Sequence, residues 1–170
     1  MACYLFTLHA YRSWNADHPR GFVQEQGKIE PPNANLAQFY NEHASQPPVR
    51  FGPFHQRVMI WITYDACVRR GWRLHAAATE TTHIHMLVSW KSEELWRNVR
   101  HRLKLLCSLM LGRKLGQEGR KWFVRKGSRK RVRDRAHFDY LVGQYLPKHR
   151  GLRWTEGDAQ PEEPALRGRG

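Results

Sequence analysis

The chain has 170 residues, enough for one domain with a sizeable core, and its 29 Lys and Arg against 15 Asp and Glu give a formal charge of +14. Such an excess points to a polyanionic partner, nucleic acid ahead of a membrane surface, because no stretch approaches the ~20 apolar residues of a membrane span. A hydrophobic content of 41% excludes a disordered chain. The opening "MACYLFTLHAYRSW" has neither the basic start nor the cleavage site of a secretion signal. Cys3, Cys67 and Cys107 are odd in number and widely spaced, which fits small buried hydrophobes in a reducing cytosol, so a cytoplasmic location is expected.

In chain order, "CYLFTLHAY" (3–11) predicts a first strand from its aromatic and β-branched residues. Residues 12–53 form a long connection punctuated by two Pro-Pro pairs, with a short helix near 36–43. Phe54, Val58, Ile62 and Ala66 repeat at helical spacing, and Gly71 predicts the C-cap of a helix over 54–70. "WRLHAAAT" (72–79) and "HIHMLVSW" (83–90) predict two strands joined by a turn at 80–82. Ser92 is the expected N-cap of a helix carrying Leu95, Val99, Leu103, Leu106 and Met110 on one face, broken from Gly112 to Gly119. "KWFVRKGSRKRV" (121–132) predicts two short strands around a turn at 126–129. Asp134 is the expected cap of a last helix running through Leu146 and ended by Pro147. From Thr155 onward the chain lacks aromatic residues and predicts a disordered tail, which leaves one domain over 1–154. This order gives an α+β fold: a ferredoxin-like βαββαβ antiparallel sheet with helices on one face, plus an extra C-terminal helix.

His83 and His85, two residues apart on one strand, point to the same face, while Ile84 and Met86 point to the other. A pair is half of a metal site, which needs at least a third ligand. On the last helix Phe138, Leu141, Val142 and Tyr145 fall on one apolar stripe, whereas Tyr140 and Gln144 stand one turn apart on the opposite face.

Two strand histidines followed by a helix with Tyr-x-x-x-Gln, in a strongly basic ferredoxin-like chain, resemble the HUH single-tyrosine transposases. Among these the likeness is to the REP-associated tyrosine transposases and the related IS200-like enzymes. The likeness extends through "AYRSW", "PPNANL", "RRGWRLHA", Leu103-Lys104 and "WFVRKGS", to about residue 154. Two positions depart from it. Thr82 stands where many members carry Asn or Asp, and Tyr145 follows the glutamine where a small residue is common.

The resemblance implies that His83, His85 and the side-chain oxygen of Gln144 hold one divalent ion. Mixed nitrogen and oxygen ligation suits Mg²⁺ or Mn²⁺, with Zn²⁺ able to bind in vitro. It further implies that Tyr140 attacks a phosphodiester of single-stranded DNA bearing a hairpin, giving a 5′-phosphotyrosine and a free 3′-OH. Tyr145, with His149 four residues on, is a rival nucleophile. The expected DNA surface comprises Arg125, Lys126, Arg129, Lys130 and Arg131, with Trp122 to stack on bases and Arg97, Arg100 and Lys104 as secondary contacts. The charges alone support a non-catalytic hairpin DNA or RNA binder of the same fold as well. A zinc hydrolase would lack a clear acidic base beyond Glu80. Monomer and homodimer stay open.

Overall fold

The computed structural model describes residues 1–19, 21–23 and 29–166. The first strand, β1 (Ala2–His9), forms where the β-branched and aromatic residues predict it. The long connection carries a two-stranded ribbon, β2 (Phe22–Val23) with β3 (Ile29–Glu30), and then α1 (Ala34–Glu42). The "PPNANL" segment supplies the start of α1, because the Asn33 side chain accepts from the Leu36 amide at 2.9 Å.

Helix α2 (Pro53–Arg69) opens with proline in its first turn, where the missing N–H costs nothing, and closes at Gly71, whose φ of +65° is the left-handed turn expected there. Strands β4 (Arg73–Thr79) and β5 (His83–Trp90) form the expected antiparallel hairpin, with an irregularity between Leu74 and Ala76. Helix α3 (Trp96–Leu115) differs from expectation at both ends. It starts at Trp96 after Leu95, since the Trp90 indole N–H donates to the Glu94 carbonyl at 2.8 Å and holds 91–94 outside the helix, so Ser92 is no cap. It runs through Gly112 and ends only at Gly116, in the left-handed region at φ +62°.

A single strand, β6 (Ser128–Arg131), replaces the two strands expected over 121–132. Both halves of that segment line the same edge of β1 instead of pairing with each other. The Tyr11 and Val124 amides bond across to Trp122 and His9, and β6 pairs further along. Asp134 caps α4 (Arg135–Tyr140) as expected, accepting from the His137 amide at 2.8 Å. The winding then loosens into a π turn (Leu141–Tyr145) and tightens into a 3₁₀ turn (Leu146–Lys148). Pro147 therefore sits at the start of that last turn and does not end the helical path.

An unexpected strand, β7 (Arg153–Thr155), follows and pairs with β4. The segment beyond it is tied back to the body. The Trp154 indole donates to the Ala159 carbonyl at 2.9 Å, and the Lys114 ammonium lies 2.7 Å from the Glu163 carboxylate.

Among the described residues the sheet runs β6-β1-β5-β4-β7, antiparallel throughout. Without β7 this is the ferredoxin-like strand order, so the fold class read from the sequence is the one observed. One face buries Phe6, Leu8, Ile84, Met86 and Val88 beneath α2 and α3. The other buries Leu5, Ala76, Ala78 and Leu87 beneath Leu141 and Leu146 of the C-terminal turns. The extra helical segment thus covers the sheet face opposite α2 and α3. No helix among the described residues is long and apolar enough to cross a membrane.

Candidate metal and tyrosine site

Alternation along β5 puts His83, His85, Leu87 and Ser89 on the face covered by the C-terminal turns. The register brings Thr7 opposite His85 and His9 opposite His83. On the other side, Ala76 and Ala78 of β4 are small enough for Leu141 and Leu146 to come close. The face that receives the apolar stripe of the last helix is therefore the face that carries the histidines.

The consequence is a cluster that includes Tyr145 and His149. The ligating atoms of His83, His85 and His149 lie within 4.8 Å of one another. Ring centroids are 4.5 Å apart for His85 and His149, and 4.7 Å for His83 and His85. The Tyr145 hydroxyl is 3.4 Å from His85 Nε2. Gln144, expected as the third ligand, is exposed, and His149 brings a third imidazole to the two of β5. Tyr140 is 43% exposed, with its ring 6.4 Å from that of Tyr145.

Each imidazole has its Nδ1 occupied. His85 Nδ1 is 2.7 Å from the Thr7 hydroxyl, His83 Nδ1 is 3.0 Å from the Thr82 hydroxyl, and His149 Nδ1 donates to the Leu146 carbonyl at 3.1 Å. Such partners fix the ring orientation and leave Nε2 as the second ring nitrogen, which on His85 faces the Tyr145 hydroxyl. Thr82 thus orients His83. Three oriented imidazoles at this spacing are a donor set that can hold a divalent ion.

Burial keeps the His83 and His85 rings neutral. It is the main cause that pushes His83 down to about 4, followed by the fields of His9 and His149, with Glu80 opposing. Burial, then His83, His149 and His9, pushes His85 down to about 2. The unfolded chain takes up both protons near pH 6.5, whereas the folded chain does so only well below. Stability of the metal-free protein is therefore full above about pH 6.5 and is lost as the pH falls from there through about 4, by an amount on the order of a few kcal/mol. Thermal melts of chelator-treated protein at decreasing pH should show this loss. A flat profile over that range would mean the rings are solvated.

His149 is held by the residues after it. The Arg150 amide donates to the Glu80 carboxylate at 2.7 Å, which makes Glu80 a clamp in this structure. The Gly151 amide donates to the Thr79 carbonyl at 3.0 Å, and the Leu152 amide donates to the Gln56 side-chain oxygen at 3.0 Å. A Cβ on Gly151 would stand 2.2 Å from the Thr79 carbonyl oxygen, so this backbone approach needs glycine. Gly151→Ala should cost about 1–3 kcal/mol of stability and weaken divalent-ion binding as His149 shifts, read by melting and by calorimetric titration. Unchanged ion affinity would show that His149 is positioned by other contacts.

The expected DNA-binding residues separate into groups. Trp122 is 3% exposed and Phe123 is also buried, so Trp122 offers no ring face to a base. The aromatic character that suggested stacking reflects packing in the core beneath α2 and α3. Arg100 donates to the Gly127 carbonyl at 2.6 Å, and the Lys104 ammonium donates to the carbonyls of Val124 and Arg125 at 2.6 and 2.8 Å. These two cations hold the loop before β6. Arg97, Arg100 and Arg129 surround the Trp96 ring at 5.7, 5.1 and 3.9 Å. Arg125, Lys126, Lys130 and Arg131 are exposed along or just before the β6 edge. Lys130 pairs with Leu5, and strand alternation therefore places it on the histidine face.

No family model and no curated protein matches the chain. In structure the chain is similar to a REP-associated tyrosine transposase bound to a REP hairpin, with 6% identity and a TM-score of 0.45 over 86% of this chain and 70% of that one. It is also similar to a protein described as a transposase from Deinococcus radiodurans R1, with 11% identity and a TM-score of 0.42 over 89% and 92% of the two chains.

Proposed function

We propose that the chain is a divalent-metal-dependent endonuclease and strand transferase acting on single-stranded DNA near hairpins, with Tyr145 as the nucleophile. The observation that carries this reading is the Tyr145 hydroxyl, 3.4 Å from His85 Nε2 at the edge of three oriented imidazoles. His83, His85 and His149 would hold the ion. A bound cation would polarise a phosphodiester and stabilise the charge that builds there. An all-imidazole set favours Mn²⁺ or Zn²⁺ over Mg²⁺, which prefers oxygen ligands.

In the proposed step the Tyr145 oxygen forms a bond to phosphorus and the bond from phosphorus to the 3′-oxygen breaks. The phenol proton passes to solvent and the departing oxygen takes one up. The number of phosphate ester bonds is unchanged, so the 5′-phosphotyrosine can later pass its strand to another 3′-OH without an energy source. Burial, and after it the neighbouring Tyr140, raises the Tyr145 phenol above its ordinary value, so the tyrosine is inert until it is activated.

The test is incubation with hairpin-bearing single strands and Mn²⁺, followed by denaturing gels. A covalent protein–DNA adduct is expected. Its absence with every such strand favours the binding-only reading, which the exposed cations of the β6 edge support equally. Affinity should fall with salt by a log–log slope of about −0.7 per neutralised phosphate. Replacing Arg125, Lys126, Lys130 and Arg131 together by Ala should flatten that slope. An unchanged slope would move the DNA path off the β6 edge.

A further inference from the structure

A cavity opens beside the cluster on the same face of the sheet, with a volume near 380 Å³ and a lining that includes Leu5, Thr7, Ser128, Lys130, Tyr140 and Tyr145. The register explains its make-up. Ser128 and Lys130 of β6 lie opposite Thr7 and Leu5 of β1, so all four side chains leave the sheet on the face covered by the C-terminal turns. Leu5 provides an apolar floor, Thr7 and Ser128 provide hydroxyls, and Lys130 provides a positive charge at the exposed edge. Tyr140 forms one wall, and its 43% exposure leaves much of its side chain accessible. Two groups belong to both sites. Thr7 orients His85, and Tyr145 reaches His85 Nε2. An occupant of this cavity would therefore lie against the proposed nucleophile.

Aromatic walls beside a cation suit an unpaired nucleobase and its phosphate, since stacking tolerates any base and the ammonium tracks the backbone. We propose that this cavity takes the nucleotide next to the bond attacked by Tyr145, with its base stacked on the Tyr140 ring and its phosphate against Lys130. Tyr140, expected from sequence to be the nucleophile, becomes the residue that positions the scissile strand. This rests on the reading of Tyr145 given above.

The experiment separates the two. Hairpin-bearing single strands carrying 2-aminopurine, scanned through the unpaired flanks, are titrated into Tyr145→Phe protein without metal, so that no chemistry occurs. Fluorescence should be quenched on binding at one flank position. Adding Tyr140→Ala should relieve the quenching and weaken binding about ten- to a hundredfold, while Tyr140→Phe in its place should restore both, because the ring and not the hydroxyl is used. Lys130→Ala should weaken binding and flatten the salt dependence by about one phosphate. Quenching that survives Tyr140→Ala, or no quenched position in a strand that binds, overturns the assignment. So does a covalent adduct, formed by the Tyr145→Phe protein with metal, that disappears when Tyr140→Phe is added, since the Tyr140 hydroxyl is then the reacting group. If wild-type protein forms no adduct but the quenching pattern holds, the cavity stands and the nuclease reading fails.

Discussion

Tyr145→Phe should abolish the covalent DNA adduct, by at least about a thousandfold, while leaving hairpin affinity within a few fold of wild type. The change removes one oxygen from a half-buried ring that packs with Phe138 and Val142 against the sheet, so the fold should persist. What disappears is the hydroxyl at 3.4 Å from His85 Nε2. Adduct formation on denaturing gels, with strand binding measured in parallel by anisotropy, reads the two effects separately. An adduct that survives Tyr145→Phe and is lost with Tyr140→Phe would return the chemistry to the exposed tyrosine. In this structure the Tyr140 ring stands 6.4 Å from that of Tyr145.

The second large effect concerns the ion. His83→Ala, His85→Ala and His149→Ala should each lower Mn²⁺ or Zn²⁺ affinity by about a hundredfold or more, with cleavage lost in proportion. Thr7→Val should cost about ten- to a hundredfold by freeing the His85 ring. Calorimetric titration of folded protein with each metal checks this without DNA. Gln144→Ala distinguishes the two possible ligand sets. With His149 as third ligand its affinity matches wild type, whereas a loss equal to that of His149→Ala would bring the glutamine oxygen into the site. Removing a buried imidazole leaves its partners unpaired, so melting temperatures must accompany each titration.

Much of this was legible in the sequence because it depends on short-range rules. Strand-forming residues and strict alternation give β1 and β5 and set His83 and His85 on one face. Helical spacing with a glycine stop gives α2, and Asp134 gives the start of α4. The order of these elements yields the ferredoxin-like sheet observed. The apolar stripe of Phe138, Leu141, Val142 and Tyr145 is also read correctly, since all four pack on one side.

The tertiary structure decided what that stripe meets. A tyrosine within an apolar stripe suggests a buried, inert side chain, and Tyr140 with Gln144 then looks like the functional pair. The stripe instead lands on the histidine face, because α2 and α3 already cover the other side of the sheet and Ala76 and Ala78 leave room on this one. Tyr145 and His149 are four residues apart across a proline that reads as a stop. Only packing against β4, through Gly151 and the loosened π turn, keeps the path winding so that both reach His85. The basic segment shows the same division. Its charge density follows from composition alone, but whether Trp122 stacks on a base or fills the core depended on the edge of β1 it pairs along, and that pairing buries it. Local periodicity sets which residues share a face, and long-range burial chooses which faces meet.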